Sequence, residues 1–229
     1  DLRRADRRLP ALMDFPELPA GEALDNLCEA VFDGPEGRAR LDPLVERFDA
    51  QVGVIRQFDE QWPLWQAIRT DWALCDATIP GGQPGETWAF RLAAGRVSGL
   101  IVTPEERAVA DSIAGLFEVF RAGDGRRPRV ILRNALTGLV LELAEPLEGL
   151  PDGAGPLALW ETRIVLLEDG AHLCRPPLVY PLALAKALDP FSRGPELALA
   201  KARAARLAWA RSGERADISH LFRSLMAVA

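Results

Sequence analysis

Residues 115–145, GLFEVFRAGDGRRPRVILRNALTGLVLELAE, most constrain what this chain can become. Three short apolar segments, 116–122, 129–134 and 139–145, are divided by a glycine- and arginine-rich loop and by Ala135-Leu136-Thr137-Gly138. Segments this short, this closely punctuated, read as consecutive antiparallel strands rather than helices. Val130 and Leu132 fall on one face of the second strand; Leu139, Leu141 and Leu143 fall on one face of the third, with Glu142 opposite. Gly138 supplies the residue where positive φ is needed at the turn. A long strand over 157–168 follows, then a tight turn at Asp169-Gly170 and a last strand over about 171–180. The last strand ends in prolines, which places it at an edge. On the long strand Trp160 and Leu159 point to opposite faces, so one of those faces meets the flanking helices. Five short strands predict a small curved sheet, a meander or half-open barrel.

Helical patterns flank this block. The first 19 residues are basic and then proline-spaced, which reads as an extended arm. Leu24, Leu27, Cys28, Val31 and Phe32 recur at three and four, one face of a helix that stops at Asp33-Gly34-Pro35. A second helix is predicted over 38–51, with Leu41, Leu44, Val45 and Phe48 on its inner stripe. A third is predicted over 53–75, with Pro63 starting a new turn or a kink and Phe58, Trp62, Trp65 and Trp72 packing the helices together. Residues 76–88 are a connection, and 88–102 read equally as short helix or strand. Thr103-Pro104-Glu105-Glu106 has the pattern of a capping box with proline at the first helical position, opening a helix to about Ala114. The tail predicts helices over 181–189, 195–213 and 217–228, the last capped by Asp217. The expected fold class is therefore α+β: a helical N-terminal region (1–80), a central region with the antiparallel β module (81–182) and C-terminal helices (183–229).

The order of features from Phe48 to Leu182 resembles an uncharacterised group of bacterial proteins. The shared residues are the Trp-containing helix, the PEER helix start, LFEVF at 116–120, ILRNALTG at 131–138 and ETRIV at 161–165. Some members of that group are similar to proteins with a SEC-C motif, a short cysteine-rich zinc site at the C-terminus. This chain has no cysteine after Cys174, so the resemblance implies the fold and transfers no zinc ligands.

Composition narrows the function classes. At 229 residues, 48% hydrophobic and 26% charged, the chain suits an ordinary globular core. A net charge of −6 argues against wrapping nucleic acid over the whole surface. Lys186 and Lys201 are the only lysines among 27 basic residues, a bias of a GC-rich genome or of selection for bidentate anion contacts. Three separated cysteines, Cys28, Cys75 and Cys174, form neither a CxxC pair nor a disulfide framework and suit a reducing, cytoplasmic setting. The uncharged run from Pro176 to Ala185 is too short to span a bilayer and carries three prolines.

The strongest candidate site is Arg121, Arg126, Arg127, Arg129 and Arg133, five arginines in thirteen residues with Asp124 as the sole acid between them. With Arg121, Arg129 and Arg133 on one sheet face, the hairpin would offer guanidinium groups to carboxylates or phosphates; the plainer reading is a solvated hairpin with arginines that serve solubility. On the C-terminal helix, Lys201, Arg203, Arg206 and Arg211 fall at about 0°, 200°, 140° and 280° and surround the helix, whereas Ala198, Ala202, Ala205 and Trp209 line up for close packing within the chain or in a dimer. His172 and Cys174 share a strand face near Asp169 but lack the further ligands that a metal needs. His220 has no nucleophile motif beside it, and GxSxG, GxxxxGK[ST] and GxGxxG are missing. The GGQPG at 81–85 is a linker rather than a phosphate cradle, and Asp59-Glu60 and Glu105-Glu106 are adjacent and diverge. The sequence thus predicts a non-catalytic, cytoplasmic interaction or scaffold protein, using no cofactor, that meets an acidic protein partner through the arginine hairpin and a second copy through the C-terminal helices. The alternatives are an accessory nucleic-acid-binding protein using that hairpin, and a hydrolase of unrecognised type.

Overall fold

A computed structural model describes residues 18–97, 103–123, 129–144, 155–189 and 194–228. Most of the N-terminal arm expected over 1–19, together with Asp124, Arg126 and Arg127, lies outside these described residues. The chain folds as α1 (Pro19–Phe32), α2 (Gly34–Val52), α3 (Trp62–Cys75), α4 (Trp88–Ala93), α5 (Pro104–Val109), β1 (Ile113–Ala122), β2 (Arg129–Asn134), β3 (Val140–Glu142), β4 (Ala158–Leu167), β5 (Gly170–Leu173), β6 (Leu178–Tyr180), α6 (Ala183–Leu188), α7 (Pro195–Arg211) and α8 (Ile218–Ala227). This is the α+β arrangement the sequence predicts, helices at both ends of an antiparallel β module.

Strand order in the sheet is β3-β2-β1-β4-β5, with β6 pairing a further stretch of β4. β1 pairs along Phe117–Ala122 with β2 and along Ile113–Val119 with β4, so the chain crosses over β1 between β3 and β4 instead of running as a strict meander. A single parallel bridge, Leu143 to Ala171, joins the segment after β3 to β5, and Ala144 N–H donates to Ala171 O at 2.9 Å. The sheet therefore curls into a partly open Greek-key barrel. Its interior holds Phe117, Val119, Val130, Leu132, Trp160, Ile164 and Leu173.

β4 is buried along Ala158–Val165 on both faces. Leu159, Glu161, Arg163 and Val165 point outward, toward the helices, while Trp160 and Ile164 point into the barrel. Leu159 joins one core with Phe48 and Trp65 of the N-terminal helices and Ala202 and Phe222 of the C-terminal ones. Val165 joins a second core with Leu24, Leu74 and Val109. The three regions seen in the sequence thus share their cores.

The two charges on the outward face of β4 are matched by the helices. Arg203 Nε donates to Glu161 Oε1 at 2.6 Å, and Tyr180 Oη donates to Glu161 Oε2 at 2.6 Å. Arg163 pairs with Asp76, the C-cap of α3, and donates to Ser112 Oγ at 3.0 Å. Arg175 donates to both carboxylate oxygens of Asp71 at 3.0 Å and to Asp25 at 2.6 Å, tying α1 and α3 to the end of the sheet. Arg211 grips Asp59 through two hydrogen bonds of 2.8 and 2.7 Å. A buried charge is tolerated when its partner is in place, and each of these has one, with Arg163 Nε alone of their guanidinium groups left without a hydrogen-bond partner among the described residues.

Several boundaries differ from the sequence reading. The helix expected over 53–75 starts only at Trp62: Gly53 and Gln61 take positive φ, and Pro63 lies in the first turn of α3. A proline there removes an N–H and would clash with the preceding turn of a continuous helix. The helix predicted to reach Ala114 stops at Val109. Ala110, Asp111 and Ser112 then bond three residues back, and Ile113 is already paired with Ile164 of β4. The single strand expected over 171–180 is two, divided at Cys174–Pro177, where Pro176 and Pro177 have no N–H for a ladder. The ambiguous 88–102 segment contains α4, and the capping box at Thr103 and Glu106 forms as predicted.

Candidate interaction face

Among the described residues, the helices leave the outer surface of the β2–β3 hairpin open. β2 and β3 pack chiefly against strands, whereas β1 and β4 lie beneath the helices. The register sets what this face shows. Glu118 sits opposite Arg133, Phe120 opposite Ile131 and Ala122 opposite Arg129; across the next pair Arg133 faces Val140 and Ile131 faces Glu142. One surface therefore carries Arg129, Ile131 and Arg133 in a row, flanked by Glu118 and Phe120 on one side and Val140 and Glu142 on the other.

Arg133 lies over the Phe120 ring at 5.3 Å from its centroid and donates through Nε to Glu118 at 2.7 Å. Arg129 pairs with Glu142 at 3.1 Å, both half exposed. Val140 is 57% exposed, and Leu139 beside it is also exposed. Exposed pairs such as Arg129–Glu142 hold each other weakly, typically by less than about 1 kcal/mol, so an incoming anion can compete for the guanidinium. The face combines an apolar centre with cations at its margin, the composition from which docking surfaces are made.

The five arginines predicted as a cluster are divided by this geometry. Arg129 and Arg133 share the outer face. Arg121 is opposite Val130 on the inward-facing side of the sheet, so the expected single face for Arg121, Arg129 and Arg133 does not form. Arg126 and Arg127 lie outside the described residues. The sequence reading overlooked Phe120 and Val140; both follow from the hairpin register, which the length of the loop hides until the strands are paired.

The other candidate groups fall elsewhere. His172 Nε2 lies 2.7 Å from Asp169 Oδ1, and among the described residues no three His, Cys, Asp or Glu side chains converge as metal ligands. Burial pushes the Cys75 and Cys174 thiols up to about 12 and the Cys28 thiol higher still, so all three stay protonated at neutral pH. Ala198, Ala202 and Ala205 are fully buried within the chain's own core, which removes that stripe from a second copy. Arg203, Arg206 and Arg211 point in different directions, toward Glu161, Val179 O and Asp59. No helix among the described residues is long and apolar enough to cross a membrane. Comparison with protein-family models, with curated proteins and with solved structures finds no match.

Proposed function

We propose that this chain is a non-catalytic, cytoplasmic interaction protein whose contact surface is the outer face of β2–β3. The observation that carries this reading is the row Arg129, Ile131, Arg133 beside exposed Val140, on a flank of the barrel that the helices of the described residues leave bare. An acidic protein segment suits it: carboxylates exchange with Glu142 at Arg129, and apolar side chains cover Val140 and Ile131. The Arg126-Arg127 pair adds two positive charges in the sequence between β1 and β2. Three unpaired, buried or half-buried thiols are in keeping with a reducing compartment.

A second reading, an accessory single-strand nucleic-acid binder, draws on one observation. Arg133 stacked on Phe120 is a cation–aromatic pair of the kind on which bases can stack, and partly open five-stranded Greek-key barrels use this face for extended chains. Fold alone does not carry function, so this remains the second reading.

One experiment separates them. Tagged wild type, Val140→Asp and Arg126→Ala/Arg127→Ala are used for capture from native extract at low and high salt, with and without nuclease. The first reading expects a protein captured at low salt, insensitive to nuclease and lost in both variants. Loss on nuclease treatment supports the second reading. Capture of the same proteins by all three chains overturns the assignment of this face.

A further inference from the structure

A cleft of about 1030 Å³ opens beside the turn of the same hairpin. Its walls come from the C-terminal half of α2, the end of α3, the start of β1, the β2–β3 turn and the first turns of α7. The volume is that of a nucleotide-sized ligand rather than a few waters.

Its charges break the rule followed by the interior arginines. Arg203, Arg163, Arg175 and Arg211 each meet a carboxylate. Arg47, on the α2 wall, meets none among the described residues: it donates to Thr78 O at 3.1 Å and lies over the Trp72 ring at 5.0 Å, and its buried Nε, like that of Arg163, has no hydrogen-bond partner. Lys201, on the α7 wall, forms no ion pair among the described residues. The cleft's carboxylates are Asp76, engaged by Arg163, and Glu196 in the exposed first turn of α7. That turn has no side-chain cap, so its N–H groups add to the positive field. Ser112, Asn134 and Thr137 supply neutral polar groups to the same lining.

We infer that this cleft is a binding site for a small organic phosphate, with Arg47 and Lys201 as its two anion-binding side chains. Two cations from separate elements suit a dianionic group better than a single carboxylate. The Asn134 carboxamide accepts from Leu136 N–H at 2.9 Å and Thr137 N–H at 3.2 Å, so the floor of the site is fixed by the β2–β3 turn. The site is separate from the outer face, and either can fail without the other.

The test is calorimetric titration and thermal shift on the full chain with AMP, ribose 5-phosphate and inorganic phosphate. Adenosine, citrate and potassium chloride at matched ionic strength are the controls. The phosphate-bearing probes are expected to bind and raise the melting temperature. Lys201→Gln should weaken binding at least about tenfold, the loss of one charge-assisted contact, while keeping the wild-type circular dichroism. Arg47→Gln should do the same, and Glu196→Gln should tighten binding. The inference is overturned if no phosphate probe binds at millimolar concentration, if Lys201→Gln binds as wild type does, or if citrate or adenosine binds as well as AMP.

Discussion

Arg203 Nε lies 2.6 Å from Glu161 Oε1, with the two side chains only 4% and 2% exposed. This pair joins the middle of α7 to the middle of β4, and Tyr180 completes the carboxylate from β6. Removing one partner leaves the other charge buried and unmatched. Glu161→Gln or Arg203→Met should each cost about 3–5 kcal/mol in urea unfolding, whereas the double variant should cost much less than the sum. Tyr180→Phe, which removes one donor, should cost about 1–3 kcal/mol.

The clamp between Arg211 and Asp59 predicts an acid response. Hydrogen bonding to Arg211 holds the Asp59 carboxyl below the usual carboxylate range in the folded chain. Its folded value is depressed, so its stabilising contribution is complete above the unfolded value of about 3.9 and is lost as pH falls through the lower folded value. Asp59→Asn should be less stable than wild type at neutral pH. The two stability curves should converge below about pH 4 in a pH series of urea melts.

The thiols give the opposite slope. Burial raises Cys75 and Cys174 to about 12 in the folded chain, so unfolded thiols titrate first, near about 8.5. Their contribution is therefore intact below about pH 8.5 and is lost as pH rises toward 12. At neutral pH, Ellman's reagent should leave all three cysteines essentially unmodified until urea unfolds the chain, a difference read directly by absorbance.

Gly115 packs beneath the Asn134 carboxamide where β1 passes the β2–β3 turn. A methyl group there would overlap that amide and touch the Phe117 ring. Gly115→Ala should cost about 1–3 kcal/mol, measured by thermal melting, because the turn must shift to make room.

Much of the fold was readable because local chemistry and tertiary structure agree. Thr103 and Glu106 cap a helix wherever it goes, Asp217 caps α8, and Gly138 turns the hairpin at φ 75°. The failures came where partners distant in sequence decide. β1 begins at Ile113 because Ile164 pairs with it, and no local signal carries that pairing. Nothing local to ETRIV shows that Glu161 and Arg163 point into the protein, where Arg203 and Asp76 neutralise them. At the candidate face, Arg129 and Arg133 were visible from alternation, but the separation of Arg121 from them needed the register. Arg47 had no signal at all: Trp72 and Thr78 reach it from a different helix and the loop beyond.

The single bridge between Leu143 and Ala171 makes the barrel a cuff with one weak seam. On its far side the β2–β3 hairpin hangs from β1 along a six-residue ladder; at the seam it is held by little more than one pairing. Val130, Leu132 and Leu136 anchor the hairpin in two cores, so the seam, rather than the hairpin as a whole, is where the barrel should open first. Amide exchange at Ala144 should run well ahead of exchange at Phe117. The hairpin beside the seam carries the proposed contact face on its outside, and its turn residues Asn134 and Thr137 line the cleft. A partner that presses on the outer face would thus act on the same element whose turn shapes the cleft.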